Sequence, residues 1–425
     1  MKYFSLITLV SILFLNGFSQ GYKAGAFESS LDSVQMGPGY ANDVYYSFEE
    51  GVVAVVPRTN WDIAFHTTLW SATILSNGAS TINGVYLYTY PNADTAGWNT
   101  VDTVGMAGWP LLYDSEEYWE EGAFVRNATG HPDYGWGKYN PISHDVVGDS
   151  IYILKTSAGQ MKKLWIQRKH SAANTYYIRH ANMDGSDDIE QVLQINPYTT
   201  KNFVYFSFAN NELIDREPDT AAWDIVFTRY MAIQDNGTPY PVVGVCNNLE
   251  VYANEFYPVA PDFIDYMSMP FDSTKSPIGW EWKTFDMGTF TWSVADSTAF
   301  FVHTRKDNVY KLVFTKFEGS TTGNIVFSKE ALSSSAVNEN IPDDPVRIYP
   351  NPVRDRISVE FNRIIKGKAE IRVFDMTGRE VYNTRLTADG KTFSFALPQN
   401  ADMKGLYILR VSTEEGIYTT RFIAD

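Results

Sequence analysis

Short runs in which apolar and polar residues alternate cover most of the chain, and few segments show the spacing of an amphipathic helix. Branched and aromatic residues fill these runs, and turn-forming clusters such as Thr156–Gln160 and Arg305–Asn308 separate them. We therefore expect an all-β protein built of antiparallel strands and hairpins. The segment from Asp187 to Leu193 is an exception, because its spacing also fits one or two helical turns.

The middle of the chain contains an internal repeat. Trp61–Phe65 (Trp-Asp-Ile-Ala-Phe) recurs as Trp223–Phe227 (Trp-Asp-Ile-Val-Phe), and three further motif pairs occur in the same order at offsets between 147 and 162. These further pairs are Tyr45–Phe48 with Tyr205–Phe208, Asn83–Tyr86 with Val243–Cys246, and Asp149–Leu164 with Asp296–Leu312. Because the four motifs recur in the same order, the sequence predicts two tandem β-domains, residues 20–194 and 195–332. Trp61 and Trp223 are expected in their cores, with the neighbouring aspartates bonding a turn.

The two ends of the chain differ from this body. Lys2, an apolar run from Phe4 to Phe14, and small residues Gly17 and Ser19 predict a signal peptide over residues 1–19. The apolar run is too short to span a bilayer, and no later run reaches 18 apolar residues, so no transmembrane segment is expected. Residues 333–345 are polar, contain two prolines and read as a linker to a separate module, residues 346–425.

The carboxy-terminal module reads as a small antiparallel β-sandwich. Apolar residues alternate with polar ones in Ile357–Phe361 and Ala369–Val373, and Met376–Arg379 is a turn with glycine where positive φ is needed. The sequence resembles the type A C-terminal sorting domain of type IX secretion cargo in Bacteroidetes, with Arg421 where that family often has lysine. The residues that carry the resemblance are Tyr349, Pro350, Asn351, Pro352, Asp375, Gly378, Arg379, Gly405, Tyr407 and Arg421.

That resemblance implies passage across the outer membrane by the type IX secretion machinery. It also implies removal of the module by the sorting peptidase, and then release of the protein or its linkage to surface lipopolysaccharide. A generic immunoglobulin-like adhesive domain is the alternative interpretation of the same strands.

Composition narrows the class of the protein. With 44% hydrophobic and 15% aromatic residues, the chain is too apolar to be mostly disordered. The net charge of −16 is uneven: residues 345–425 carry 13 basic and 10 acidic residues, whereas residues 20–344 carry 20 basic and 40 acidic ones. An acidic body repels phosphate backbones, so nucleic acid is not an expected partner. The single cysteine, Cys246, sits in an apolar strand and is expected to be a small core residue.

The repeated motifs resemble the HmuY-like haem-binding family over residues 40–329, as two copies. The matching features are the Trp-Asp-Ile-Ala-Phe strand, the aromatic strand before it, and a final hairpin ending in Lys-Leu (Lys163-Leu164 and Lys311-Leu312). The resemblance implies a surface binding protein for haem, held by two axial His or Met ligands. His131 and His144 are the candidate pair. The second copy has Met267, Met269 and Met287 instead of histidines in the corresponding stretch.

Other functions remain open from the residues alone. Abundant Tyr and Trp would also suit a carbohydrate-binding or adhesive surface protein. Glu116-Glu117 and Glu120-Glu121 stand in an aromatic context that would suit a glycoside hydrolase, although adjacent acids are more often a solvated face. Asp184–Asp188 reads as a plain turn, with Ca²⁺ binding as the alternative. The familiar hydrolase and nucleotide-binding motifs do not occur in the sequence, so we expect a binding protein and not an enzyme.

Overall fold

The computed structural model describes residues 29–79, 84–295, 297–333, 346–349, 351, 353–375, 379–397, 403–413 and 416–424. The predicted signal peptide and nearly all of the predicted linker lie outside these residues. The chain divides into two compact units, Met1–Ser335 and Ala336–Asp425. We call the first unit the body and the second the tail.

Strands account for most of the regular structure, which confirms the all-β fold class. The strands of the first half of the body are Ser30–Gln35 (β1), Asn42–Ser47 (β2), Gly51–Pro57 (β3), Ile63–His66 (β4), Ile74–Ser76 (β5), Tyr86–Thr89 (β6), Gly137–Tyr139 (β7), Val146–Gly148 (β8), Tyr152–Lys155 (β9), Met161–His170 (β10) and Thr175–Asn182 (β11). Those of the second half are Ile189–Gln194 (β12), Phe203–Ser207 (β13), Glu212–Ile214 (β14), Ile225–Ile233 (β15), Pro239–Asn247 (β16), Tyr252–Phe256 (β17), Lys283–Asp286 (β18), Thr291–Val294 (β19), Ala299–His303 (β20), Val309–Phe317 (β21) and Asn324–Ser333 (β22).

The helical segments among the described residues are short 3₁₀ turns in the connections between strands. They are Pro38–Tyr40, Thr95–Thr100, Met106–Gly108, Ala123–Val125, Ser171–Ala173, Asn196–Tyr198, Thr220–Ala222, Tyr266–Ser268 and Gly319–Thr321. Within the described part of the chain, no helix has the length and apolar character that crossing a bilayer would require.

The sheets of the body come in matching pairs. The order β1-β22-β21-β20-β17 corresponds to β12-β11-β10-β9-β6, which is extended by β7 and β8 on β10. The four-stranded order β16-β15-β2-β3 corresponds to β5-β4-β13-β14, and β18 and β19 form a separate hairpin. The two halves of the body therefore have related folds.

The two halves exchange strands. The aromatic strand β2 of the first half pairs with β15 of the second half, with Tyr46 opposite Ile225. Reciprocally, β13 of the second half pairs with β4 of the first half, with Phe206 opposite Ile63. The pairing is antiparallel in both cases, and the two registers are equivalent.

This exchange corrects the predicted domain boundary between residues 194 and 195. One hydrophobic core is built from residues between Ile63 and Phe208. The other combines residues between Val34 and Phe48 with residues between Ile225 and Phe327. The predicted boundary is wrong because a sequence repeat need not fold as a separate domain. Here the aromatic strand of each repeat completes a sheet of the other half.

The aspartates of the two Trp-Asp motifs hold the exchanged strands. Asp62 accepts hydrogen bonds from the backbone N–H of Phe208 (2.7 Å) and from that of Ser157 (2.7 Å), in the turn between β9 and β10. Asp224 accepts one from the N–H of Phe48 (2.8 Å). Trp61 and Trp223 are both buried. The predicted core tryptophans and turn-bonding aspartates are confirmed.

One of the four motif pairs, Asn83–Tyr86 with Val243–Cys246, does not join equivalent positions of the two halves. Residues Val85 and Tyr86 lead into β6, which pairs with β9, whereas Val243–Cys246 lies in β16, which pairs with β15. The true counterparts are Asn77 and Asn248, whose side-chain amides donate to the backbone carbonyls of Trp61 (2.9 Å) and Trp223 (2.7 Å). A Gly-Val dipeptide is too common in strands to fix an alignment.

The structure bears on three local predictions. The helical interpretation of Asp187–Leu193 is wrong. Ile189–Gln194 is a strand that pairs with β11, and the turn at Gly185 connects the two strands. In that turn Asp184 accepts hydrogen bonds from the backbone N–H and the hydroxyl of Ser186, and the alternative of Ca²⁺ binding stays a prediction. Cys246 is a buried free thiol in β16, as predicted, and burial raises its pKa to about 11.

The tail has its own antiparallel sheet and its own core. Its strands are Val346–Tyr349 (β23), Arg356–Asp375 (β24), Glu380–Ala396 (β25), Gly405–Thr413 (β26) and Gly416–Ala424 (β27). They run in the order β23-β24-β26-β27, with β25 paired to β24. Ile357, Val359 and Phe361 are buried, and the intervening Glu360 is exposed, which agrees with the predicted alternation.

Candidate functional site

The two histidines predicted as haem ligands are both exposed and contact the same tyrosine. The ring of Tyr139 lies 5.2 Å from that of His131 and 6.0 Å from that of His144. Its hydroxyl is 2.6 Å from Nδ1 of His144. Neither histidine lines any of the cavities described below, and their role as haem ligands stays a prediction.

Other histidines have structural partners. His66 is buried, and its Nε2 lies 3.0 Å from Oε1 of Glu120. Burial by itself would raise the pKa of Glu120, but hydrogen bonds from His66, Ser71 and Thr73 lower it to about 2. His180 is buried at 2.9 Å from the amide oxygen of Asn211, and its pKa is lowered chiefly by burial.

The body has a polar groove of about 680 Å³, which we call the acidic groove. It is formed by residues from four separated segments: the loop at Glu116, the end of β15 with the turn that follows it, β17 at Glu255, and the loop before β18. Six carboxylates line it: Glu116, Glu117, Asp235, Glu255, Asp272 and Glu281. The described residues that line it include no lysine or arginine.

Backbone contacts fix one wall of the acidic groove. The N–H of Lys275 donates to the carbonyl of Glu117 (2.6 Å), and the hydroxyl of Ser276 donates to the carbonyl of Glu116 (2.5 Å). The ammonium of Lys275 donates to the carbonyl of Ser115 and lies 4.9 Å from the ring centroid of Trp119. Loops from both halves of the body are thus held together, so the groove exists only in the assembled body.

The carboxylates of the acidic groove affect one another. Burial raises the pKa of Glu116, and Glu117 and Glu281 act in the same direction. The backbone N–H of Ile233 opposes this rise by donating to Oε2 of Glu116 (3.1 Å). The pKa of Glu255 is also raised, by burial and then by Glu281. A concentration of like charge favours ligands that donate hydrogen bonds or carry positive charge.

Three aromatic residues line the acidic groove, but they differ in access. Trp282 is buried and stacks on Phe314 with centroids 3.9 Å apart, and Tyr230 is also buried. Trp280 is only partly buried. Trp280 is therefore the indole most able to offer a ring face to a ligand.

A second surface pocket, of about 550 Å³, is apolar and lies at the end of β17 and β20. We call it the Tyr-Met-His pocket; it is lined by Tyr252, Tyr266, Met267, Met269, Phe271 and His303, among others. The imidazole of His303 is 5.6 Å from the ring of Phe271, and its Nε2 is 3.7 Å from Asp307. Met267 is 80% exposed.

Most of the described sorting-motif residues occupy strand ends and turns of the tail, and Tyr407 and Arg421 lie within strands. Asn351 accepts a hydrogen bond from the N–H of Ile423 (2.8 Å), and Asp375 binds both the backbone N–H and Nε of Arg379 (3.1 and 3.0 Å). Gly405 starts β26 with φ of +102°, which favours glycine. Tyr407 stacks on Phe422 at 5.8 Å.

The remaining sorting-motif residues give less structural information. Tyr349 is 45% exposed, and Arg421 is exposed on β27. Pro350, Pro352 and Gly378 lie outside the described residues.

Sequence reasoning found only part of the acidic groove. The pairing of Glu116 and Glu117 marks them in the sequence, whereas Glu255, Asp272 and Trp280 carry no such mark. These residues are far apart in the sequence, and each is an isolated acid or aromatic in a loop or on a strand. No local pattern marks them.

Comparisons with known proteins bear mainly on the tail. No curated protein matches the sequence. Among solved structures, the chain is similar to the dimeric latent PorU from Porphyromonas gingivalis at 11% identity and a TM-score of 0.16, over 83% of this chain and 31% of that chain. The chain thus spans about a third of that protein's length, and a similarity of this size carries no conclusion about function.

The predicted resemblance to HmuY-like haem-binding proteins gains no support from these comparisons and stays a prediction. The predicted type IX sorting domain is confirmed by a match to the family of secretion system C-terminal sorting domains over residues 347–425. The protein therefore carries a type IX secretion signal, which indicates transport across the outer membrane to the cell surface or the extracellular space.

Proposed function

We propose that the body is an exported binding protein, not an enzyme, and that the acidic groove binds a neutral or amino-bearing glycan. The observation that carries the proposal is the partly buried Trp280 beside six carboxylates in one groove of about 680 Å³. An indole face packs against the apolar face of a sugar ring, and carboxylate oxygens accept hydrogen bonds from its hydroxyl groups. A few such polar groups in a concave site are the usual basis of ligand orientation.

The charge of the groove selects the class of glycan. Because six carboxylates face it and the described lining residues include no cationic side chain, sulfated and uronic-acid polysaccharides are repelled. Ammonium groups of amino sugars are attracted. The preference is expected to weaken as salt concentration rises, since exposed charges are screened within about 8 Å at physiological ionic strength.

A glycan array probed with the full chain tests this function. Trp280→Ala is expected to weaken binding about tenfold or more, because a central tryptophan commonly dominates a contact surface. Trp70→Ala is the matched control, since Trp70 is 91% exposed and does not line the groove. Glu117→Gln removes one carboxylate of the groove and should weaken the binding of amino-bearing glycans. The control Glu212→Gln removes a surface carboxylate outside the groove and should leave binding unchanged.

Two results would contradict the proposal. Equal losses in Trp280→Ala and Trp70→Ala would place the glycan elsewhere. Shortened products after incubation of the bound glycan with the protein, detected by chromatography, would make the body an enzyme and support the glycoside hydrolase alternative.

Haem is the second candidate ligand, and the Tyr-Met-His pocket favours it. His303, Met267 and Met269 line one apolar pocket, and His and Met are common axial ligands of haem iron. Haemin titration followed by visible spectroscopy should then give a sharp Soret band that His303→Ala removes. A band lost instead in His131→Ala or His144→Ala would support the pair predicted from the sequence, and an unchanged free-haemin spectrum would exclude haem.

A further inference from the structure

A small cavity lies between the exchanged sheets of the body. Its volume is about 80 Å³, and both halves contribute to it, through Tyr45 of β2 and Tyr205 of β13 among others. A single water needs about 10–15 Å³ of such volume. The cavity, which we call the central cavity, is therefore large enough for a small ion.

The walls of the central cavity carry a surplus of positive charge. The charged side chains that line it are Arg58, Arg216, Arg229, Lys275, Asp43 and Asp114, which gives four cationic groups against two acidic ones. Asp43 is already occupied, because its two oxygens bind Arg58 and Arg216. The body as a whole is strongly acidic, so this surplus is local and cannot be a general property of the surface.

Several buried polar atoms on these walls have no hydrogen-bond partner among the described residues. Three are N–H donors: Nε of Arg58, Nε of Arg216 and Nε1 of Trp61. Their side chains are more than nine-tenths buried, with 3%, 7% and 8% exposure. Unpaired donors are costly to bury, and so is a local excess of cationic over acidic side chains; an anion that accepts hydrogen bonds reduces both costs.

The same wall also offers an unpaired acceptor. Within the described part of the chain, Oδ1 of Asn77 has no hydrogen-bond partner, and neither has the hydroxyl of Ser76. Asn77 is held in place because its amide nitrogen donates to the carbonyls of Arg58 (2.6 Å) and Trp61 (2.9 Å). An anion that carries a hydroxyl could satisfy this acceptor together with the three donors.

We propose that the central cavity is a binding site for a small hydroxylated oxyanion. Hydrogen phosphate and a short 2-hydroxy carboxylate share this chemistry. The site is separate from the acidic groove, whose charge is opposite, although Tyr230 lines both. Occupancy would link the two halves of the body, because the groups that bind the anion come from both of them.

Isothermal titration of the full chain with phosphate, glycolate, acetate and sulfate tests the proposal. Phosphate or glycolate should bind at a 1:1 ratio. The anion with the higher affinity shows whether the site prefers a phosphate or a 2-hydroxy carboxylate. Acetate and sulfate, which lack the hydroxyl, should bind about tenfold or more weakly. Trp61→Phe keeps an aromatic side chain, although a smaller one, and removes the indole N–H. It should weaken binding about tenfold, as expected for a hydrogen bond to a charged group.

Trp223→Phe is the matched control. Trp223 occupies the equivalent position in the other half and also has a buried, unpaired Nε1, but it does not line the cavity. Its substitution should leave anion affinity unchanged, and Arg229→Gln should lower it. Absence of saturable binding at about 20 mM anion, an equal effect of sodium chloride, or equal losses in the two Trp→Phe variants would overturn the proposal.

Discussion

The hydroxyl oxygens of Tyr45 and Tyr205 lie 3.4 Å apart at the junction of the two halves, although the residues are 160 positions apart in the chain. They are equivalent residues of the repeat, so each half presents the same side chain to the other. Tyr205 in turn donates to Oε2 of Glu217 (2.8 Å), and Oε1 of the same carboxylate accepts from the N–H of Asn202 (2.9 Å). The contact between the halves is therefore polar and almost fully buried.

Glu217 should make the body less stable as pH rises from acid to neutral. Burial raises its pKa to about 7, above the ordinary value of 4.5. The folded state then binds more protons than the unfolded state between pH 4.5 and 7, so this contribution is fully present below pH 4.5 and is lost as pH rises through 7. The loss is on the order of 3 kcal/mol.

Glu217→Gln tests this directly, since the amide cannot ionise: its oxygen can accept from the N–H of Asn202, and its NH₂ group then faces the hydroxyl of Tyr205, which can accept. Urea unfolding at pH 5 and pH 8 should show a smaller decrease in the free energy of unfolding for Glu217→Gln than for the wild type. Glu212→Gln, at an exposed residue of β14, is the control and should retain the wild-type decrease. Identical pH dependence in all three proteins would refute the assignment to Glu217.

Asp43→Asn should destabilise the body strongly. Asp43 is buried and is the carboxylate shared by Arg58 and Arg216. Removing one partner leaves two buried guanidinium groups without compensation, which costs about 3–5 kcal/mol. Glu250→Gln, which removes an exposed partner of Arg305, should cost less than about 1 kcal/mol in the same urea titrations. A small effect of Asp43→Asn would show that another group neutralises the arginines.

Lys283 should make stability increase with pH above neutrality. Burial lowers its pKa to about 7, from the ordinary value of 10.5, and its ammonium donates to the carbonyls of Val243 (2.5 Å) and Trp280 (3.0 Å). Between pH 7 and 10.5 the unfolded state binds more protons, so stability rises with pH in that window. Lys283→Met should reduce this slope.

The slope is measured as the free energy of unfolding at pH 7, 8 and 9, below the range in which tyrosines ionise. Lys138→Met, at an exposed lysine, should keep the wild-type slope while changing the same number of charges. A slope unchanged in Lys283→Met would contradict the predicted titration. The absolute stability of Lys283→Met is expected to fall, because two carbonyls lose their donor.

Cys246 should resist thiol reagents in the folded protein. It is buried in β16, and burial raises its pKa to about 11, so the reactive thiolate is scarce at neutral pH. Labelling with a disulfide reagent should be slow in buffer and complete within minutes in denaturant. Rapid stoichiometric labelling of the native protein would show that β16 opens readily.

Local pattern was sufficient for the strands and for the tail. Alternation in Ile357–Phe361 predicted buried and exposed faces correctly, because side chains on a strand point alternately to the two sides. The core positions of Trp61 and Trp223 are predicted correctly, because a large aromatic side chain beside a turn-bonding aspartate has few other places to pack. The helical interpretation of Asp187–Leu193 failed because a short run of apolar residues fits both periodicities, and the pairing with β11 decided it.

The sequence by itself determined the all-β class, the internal repeat, the buried cysteine and the sorting domain, since each rests on short-range spacing or a contiguous motif. Only the tertiary structure decided that the halves exchange β2 and β13, and that Tyr45 meets Tyr205. It also decided that Glu116, Glu255 and Trp280 share one groove. The physical reason is that long-range packing determines strand partners and cavity walls. Residues far apart in the chain contribute to that packing, so no local sequence pattern predicts it.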